Sequence, residues 1–176
     1  TSRGPPGNVT LQVGSLNISP NSVIEIQTAS GNATGTLHID SSGPITVSGV
    51  IANLGFGPTL ETAGPIQITA PTMTVNSGAI ETQISGQGRA SYIILQVGNL
   101  NVNGNSRIDS STVGPGRGGD IRVTSDSVSI SGTGSGLFSD AQPSATGRGG
   151  DIQVQTHQVE LSNGATISSQ TMGSGD

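Results

Sequence analysis

Cysteine, tryptophan and lysine are all missing from the 176 residues, and the aromatics are limited to Phe56, Tyr92 and Phe138. Without cysteine there is no disulfide framework and no thiolate metal site. Six arginines stand against 11 acids, for a formal net charge of -5. That is not the basic footprint that phosphate contacts require, so no nucleic acid partner is expected, and no anionic membrane surface. No apolar run approaches the roughly 20 residues of a transmembrane helix. No charged-then-apolar leader opens the sequence either, so an export signal is expected to be removed or to lie outside these residues.

What the chain has instead is turn formers and β-branched residues. Its 28 Gly, 25 Ser, 19 Thr and 11 Asn make up nearly half of it, while 17 Ile and 13 Val dominate the apolar set. Val and Ile suit a pleated, half-buried surface, so strands are indicated and helices are not. The composition lies near that of disordered chains, but the net charge is too small to keep the chain expanded.

The apolar residues recur with a period. Gly116-Arg117-Gly118-Gly119-Asp120-Ile121-Arg122-Val123 returns as Gly147-Arg148-Gly149-Gly150-Asp151-Ile152-Gln153-Val154. Taking the apolar-x-apolar pair as anchor, earlier copies fall at Leu11/Val13, Leu37/Ile39, Ile66/Ile68 and Leu95/Val97, giving spacings of 26, 29, 29, 26 and 31 residues. A second pair follows in each unit: Leu16/Ile18, Ile45/Val47, Met73/Val75, Leu100/Val102, Val128/Ile130 and Val159/Leu161. Turn signals come next, among them Ser77-Gly78, Asn103-Gly104 and Asn163-Gly164. A third apolar position closes each unit at Ile24, Ile51, Ile80, Ile108, Leu137 and Ile167.

Three short strands cannot bury a core alone, but stacked units can. The pattern predicts an all-β parallel β-helix of about six coils with a triangular section, a single domain over residues 1–176. Alternation would place Gln12, His38, Gln67, Gln96, Arg122 and Gln153 in one outward column, read as an amide ladder.

Gly7-Asn8-Val9-Thr10-Leu11-Gln12-Val13-Gly14-Ser15-Leu16-Asn17-Ile18 and Val159-Glu160-Leu161-Ser162-Asn163-Gly164-Ala165-Thr166-Ile167-Ser168-Ser169 resemble repeats of filamentous-haemagglutinin-type exoproteins, the large cyanobacterial ones in particular. The second and third units depart from that pattern with Gly43-Pro44 and Gly64-Pro65 turns. The resemblance implies a right-handed β-helix, two-partner secretion through an outer-membrane pore, a secreted or cell-surface location, and a role as adhesin shaft or filament. Surface glycans or cell-surface proteins are then the expected partners. The chain begins and stops in the same phase of a turn, which predicts either adjoining repeats or identical copies stacked end to end.

No catalytic residue and no cofactor is expected. Asp120 and Asp151 stack in the repeat and are the candidates for a shared cation, but the ligand set a cation needs is missing, and ion pairs with arginine across coils are expected instead. The glycines of that block are expected to supply positive φ at a corner. For a carbohydrate-active enzyme of this fold, the alternative function, the outward third-strand column offers Glu25, Ala52, Glu81, Asp109, Phe138 and Ser168, in which Glu81 and Asp109 are the adjacent acids. His38 and His157 are too far apart to act together. Phe56, Tyr92 and Phe138 are the candidates for partner contact, with plugging of rod corners as the structural alternative.

Overall fold

The computed structural model describes residues 7–29, 34–56 and 62–174. Within them the first turn runs β1 (Val9–Val13), β2 (Leu16–Ile18) and β3 (Val23–Thr28), and the second β4 (Leu37–Ser41), β5 (Ile45–Val47) and β6 (Val50–Gly55). In the third and fourth, one long strand bends through two walls: β7 (Ile66–Asn76) then β8 (Ala79–Ile84), and β9 (Ile93–Asn103) then β10 (Arg107–Asp109). The fifth is β11 (Ile121–Thr124), β12 (Ser127–Ser131) and β13 (Gly136–Phe138), and the sixth β14 (Ile152–Gln155), β15 (Gln158–Ser162) and β16 (Thr166–Ser168).

Every strand pairs in parallel with its counterpart one turn away, in the order β1-β4-β7-β9-β11-β14 on the first wall and β3-β6-β8-β10-β13-β16 on the third. This is a parallel β-helix, six rungs deep. The second and third apolar positions stack as the repeat predicts: Leu16 on Ile45 on Met73 on Leu100 on Val128 on Val159, and Ile24 on Ile51 on Ile80 on Ile108 on Leu137 on Ile167. In the middle turns these side chains are wholly buried, as at Met73, Leu100, Ile80 and Ile108, each 0% exposed. Burial of one such side chain contributes about 2 kcal/mol, and it is available only because a neighbouring rung covers it.

The first wall corrects the anchor in two turns. Val9 and Leu11, not Leu11 and Val13, pair with Leu37 and Ile39; Ile93 and Leu95, not Leu95 and Val97, continue the column to Ile121 and Val123. Both segments carry three inward apolar residues, so a slip of two preserves the in-and-out alternation and escapes notice in the sequence. The turn lengths are therefore 28, 29, 27, 28 and 31 residues, more even than expected. The predicted amide ladder dissolves with the slip. The outward columns are Thr10, His38, Gln67, Ile94, Arg122, Gln153, and beside it Gln12, Asp40, Thr69, Gln96, Thr124, Gln155.

The bend between second and third walls holds the left-handed residues: Asn21, Ser77, Asn105 and Asn163, with Gly104, Gly132, Gly134 and Gly164. These coincide with the turn signals in the sequence. The corner ahead of the first wall is built differently. None of Gly116, Gly119, Gly147 and Gly150 has a left-handed φ. Each lies against backbone one turn away: a Cβ on Gly119 would stand 1.8 Å from the Ser91 carbonyl oxygen, and one on Gly150 2.0 Å from that of Gly119. The expectation of positive φ there is thus replaced by close approach of two backbones.

Candidate functional site

Arg89 and Arg117 occupy equivalent places in successive turns, bridged backbone to backbone, each four residues ahead of its first-wall strand. Tyr92, Asp120 and Asp151 each sit one residue ahead of that strand, and therefore stack as well. The side chains then cross diagonally. Arg89 Nη2 donates to Asp120 Oδ2 at 2.7 Å, and Arg117 Nη2 to Asp151 Oδ2 at 2.9 Å. Arg117 Nη1 also reaches Asp120 Oδ1 at 3.2 Å, and the Asp151 backbone N–H donates to the same oxygen at 3.1 Å.

Asp120 is 5% exposed, and burial alone would raise its pKa. The Asp151 N–H, the Arg89 hydrogen bond and the charges of Arg89 and Arg117 outweigh that and hold the carboxyl below the ordinary aspartate range. The corner expected to pair arginine with aspartate across coils does so. Its carboxylates are already engaged by guanidinium groups. Among the described residues no group of three or more His, Asp or Glu gathers as a metal site would require.

Tyr92 is half-buried beneath two arginines: the Arg89 Cζ lies 5.2 Å from the ring centroid and the Arg122 Cζ 4.9 Å. Phe138 lies in the third-wall column where the alternation puts it, is 8% exposed, and has the Arg107 Cζ 3.8 Å from its ring centroid. Phe56 is half-buried at the end of the second turn, its backbone N–H donating to Thr28 O at 2.8 Å. Two of the three candidate contact residues thus already carry an arginine on the ring.

The third wall brings Glu81 and Asp109 together in register, with Phe138 next in the column. Arg107 Nη2 donates to Asp109 Oδ2 at 2.7 Å, and Ser111 Oγ donates to Asp109 Oδ1. For Glu81, burial and the Asp109 charge raise the pKa, with Arg107 opposing them. The two acids are therefore held in unlike environments. His38 and His157 lie on different turns; His157 Nδ1 approaches Asp126 Oδ1 at 3.8 Å, and both side chains are largely exposed.

A third feature had no warning in the sequence. Where the first wall bends into the second, along turns four to six, the surface forms an open hollow of about 530 Å³. Gln96, Thr124 and Gln155 line it together with Ser125, Asp126, Thr156 and His157. Concavity depends on how neighbouring turns superpose at a bend, which a period cannot report.

Comparison of the chain with family models, curated proteins and solved structures finds no match. The shape and chemistry of the rod carry the functional reading alone.

Proposed function

We propose that this chain is a non-catalytic rod segment of a secreted bacterial surface filament or adhesin. The observation that carries the reading is the allocation of charge: Arg89 and Arg117 with Asp120 and Asp151 tie one turn to the next instead of converging on an open site. The filamentous-haemagglutinin-like repeats agree with it. So does the lack of cysteine in a chain that would pass unfolded through an outer-membrane pore and stack rung by rung on the far side.

The inward residues of the last turn, Val159, Leu161 and Ile167, are 47%, 46% and 36% exposed. They fit a further rung, supplied by adjoining repeats or by the first turn of a second copy. Electron microscopy of the purified chain tests the shaft: short rods, lengthening with concentration if copies stack, are expected, and irregular particles would refute it. Adhesion of beads coated with the chain to bacterial or host cells tests the adhesive part.

The unlike environments of Glu81 and Asp109 favour one second reading, a carbohydrate-active β-helix enzyme in which Glu81 is the acid and Asp109 the carboxylate. Release of reducing ends or unsaturated products from a polysaccharide panel, abolished by both Glu81→Gln and Asp109→Asn, would displace the rod reading.

A further inference from the structure

The concave bend and the arginine corner meet on the first wall. Arg122 faces outward two residues ahead of Thr124 on β11, hence about 6.6 Å across the wall from the lining of the bend. Its guanidinium stacks on Tyr92 and reaches the nearest Asp120 oxygen only at 3.9 Å, beyond hydrogen-bond range. The guanidinium thus lies over the ring with no hydrogen-bonded carboxylate, and the side chain is 48% exposed. Around it the corner gathers Arg89, Arg117, Arg122 and Arg148 against Asp120 and Asp151, in a chain whose remaining charges are two arginines and nine acids. A locally positive corner therefore borders a groove lined mainly by amides and hydroxyls, with Asp126 and His157 among them.

We propose that the first wall of turns four to six binds a linear polysaccharide bearing carboxylates, laid along the rod axis. The planar fork of Arg122 pairs with a carboxylate, while Gln96, Thr124 and Gln155 meet the sugar hydroxyls. Three grounds support this occupant. A guanidinium free of a hydrogen-bonded carboxylate can engage one two bonds at a time. Amides and hydroxyls make up most of the polar lining and suit sugar hydroxyls, with Asp126 as its one acid. Rungs about 4.8 Å apart set Gln96, Thr124 and Gln155 in one column along the axis, which suits an extended chain of sugars. Asp126, also in the lining, lies 3.8 Å from His157.

This surface gives a ligand class to the adhesive part of the function proposed above and rests on it only there. Affinity electrophoresis of the 176-residue chain through gels containing polygalacturonate, neutral pullulan or duplex DNA tests it. Retardation by polygalacturonate alone is expected, weakening as salt is raised. Arg122→Gln should lower the apparent affinity about tenfold, and Thr124→Trp, which fills the bend, should abolish retardation, both with unchanged melting by circular dichroism. Equal retardation by pullulan or DNA, or wild-type mobility of either variant in polygalacturonate, would overturn the proposal. Intact rods by microscopy without retardation sink the binding surface and leave the shaft standing, whereas retardation of particles that are not rods does the reverse.

Discussion

Gly119 sits where two turns touch, and the contact is backbone on backbone. Its replacement by Ala sets a methyl group 1.8 Å from the Ser91 carbonyl oxygen, so the turns must part locally. A loss of about 3 kcal/mol is expected in urea denaturation. Gly14→Ala, with nothing within 4 Å of the added carbon, should leave the midpoint nearly unmoved. Two carboxyls give opposite dependences on pH. Asp120 has its pKa lowered by folding, so its contribution is complete above the ordinary aspartate value of about 3.9 and is lost as pH falls through the lower folded value. Asp120→Asn is expected to lower the melting temperature at pH 7 and to flatten the acid limb. Glu81 has its pKa raised, so the folded state binds the extra proton and stability declines as pH rises from about 4.3 through the folded value. Glu81→Gln should therefore raise the melting temperature at pH 7; a fall would show that the carboxylate is held by partners and not penalised by burial.

Between third wall and first, the turns from the second onward are closed by hydrogen bonds from side chains, in the column that Ile26 begins. Ser110 Oγ donates to Ser91 O at 2.7 Å, Ser139 Oγ to Gly119 O, and Ser169 Oγ to Gly150 O. In the second turn Asn53 takes the same place, its Nδ2 donating to Gly35 O at 2.7 Å and Gly64 O at 2.8 Å. Asn53, Ser110 and Ser139 are 0% exposed, so their bonds are made in the interior, whereas Ser169 in the last turn is exposed. Ser139→Ala leaves the Gly119 carbonyl without its hydroxyl and removes an acceptor from the Gly150 N–H, 3.0 Å away. A cost of about 1–2 kcal/mol is expected by chemical denaturation, against little effect from Ser144→Ala on the exposed surface. The contrast explains what the sequence disclosed of each element. Leu100, Val128 and Val159 announce a wall because apolar alternation is a pattern in one dimension. Ser110, Ser139 and Ser169 recur just as regularly but look like the turn-forming serines around them. Only the partner across the interior, some 20 positions away, distinguishes them. The slip at Val9 and Ile93 has the same origin, since alternation fixes which side faces in but not which inward residue comes first. The arginine–aspartate corner was legible because its block is repeated outright; the concave bend beside it was not, because curvature leaves no periodic mark.

Along the rod, stability depends on how many neighbours a turn has. Leu100 and Leu161 occupy inward positions of the same wall, yet Leu100 is 0% exposed and Leu161 46%. Leu100→Ala is expected to cost about 3 kcal/mol and Leu161→Ala well under 1, as read from urea midpoints. Equal losses would mean that the terminal rung is covered in solution, which is the signature of stacked copies. The direction of the ladders has a mechanical consequence. Because strands pair with the turn before and the turn after, their hydrogen bonds lie along the long axis, so tension spread over the two end faces stretches all those of a junction side by side and meets high resistance. A pull on the chain termini instead loads them one after another, and the terminal rung peels like tape from a roll. How a shaft of this kind is gripped therefore decides whether it behaves as a stiff strut or as an extensible tether that yields turn by turn.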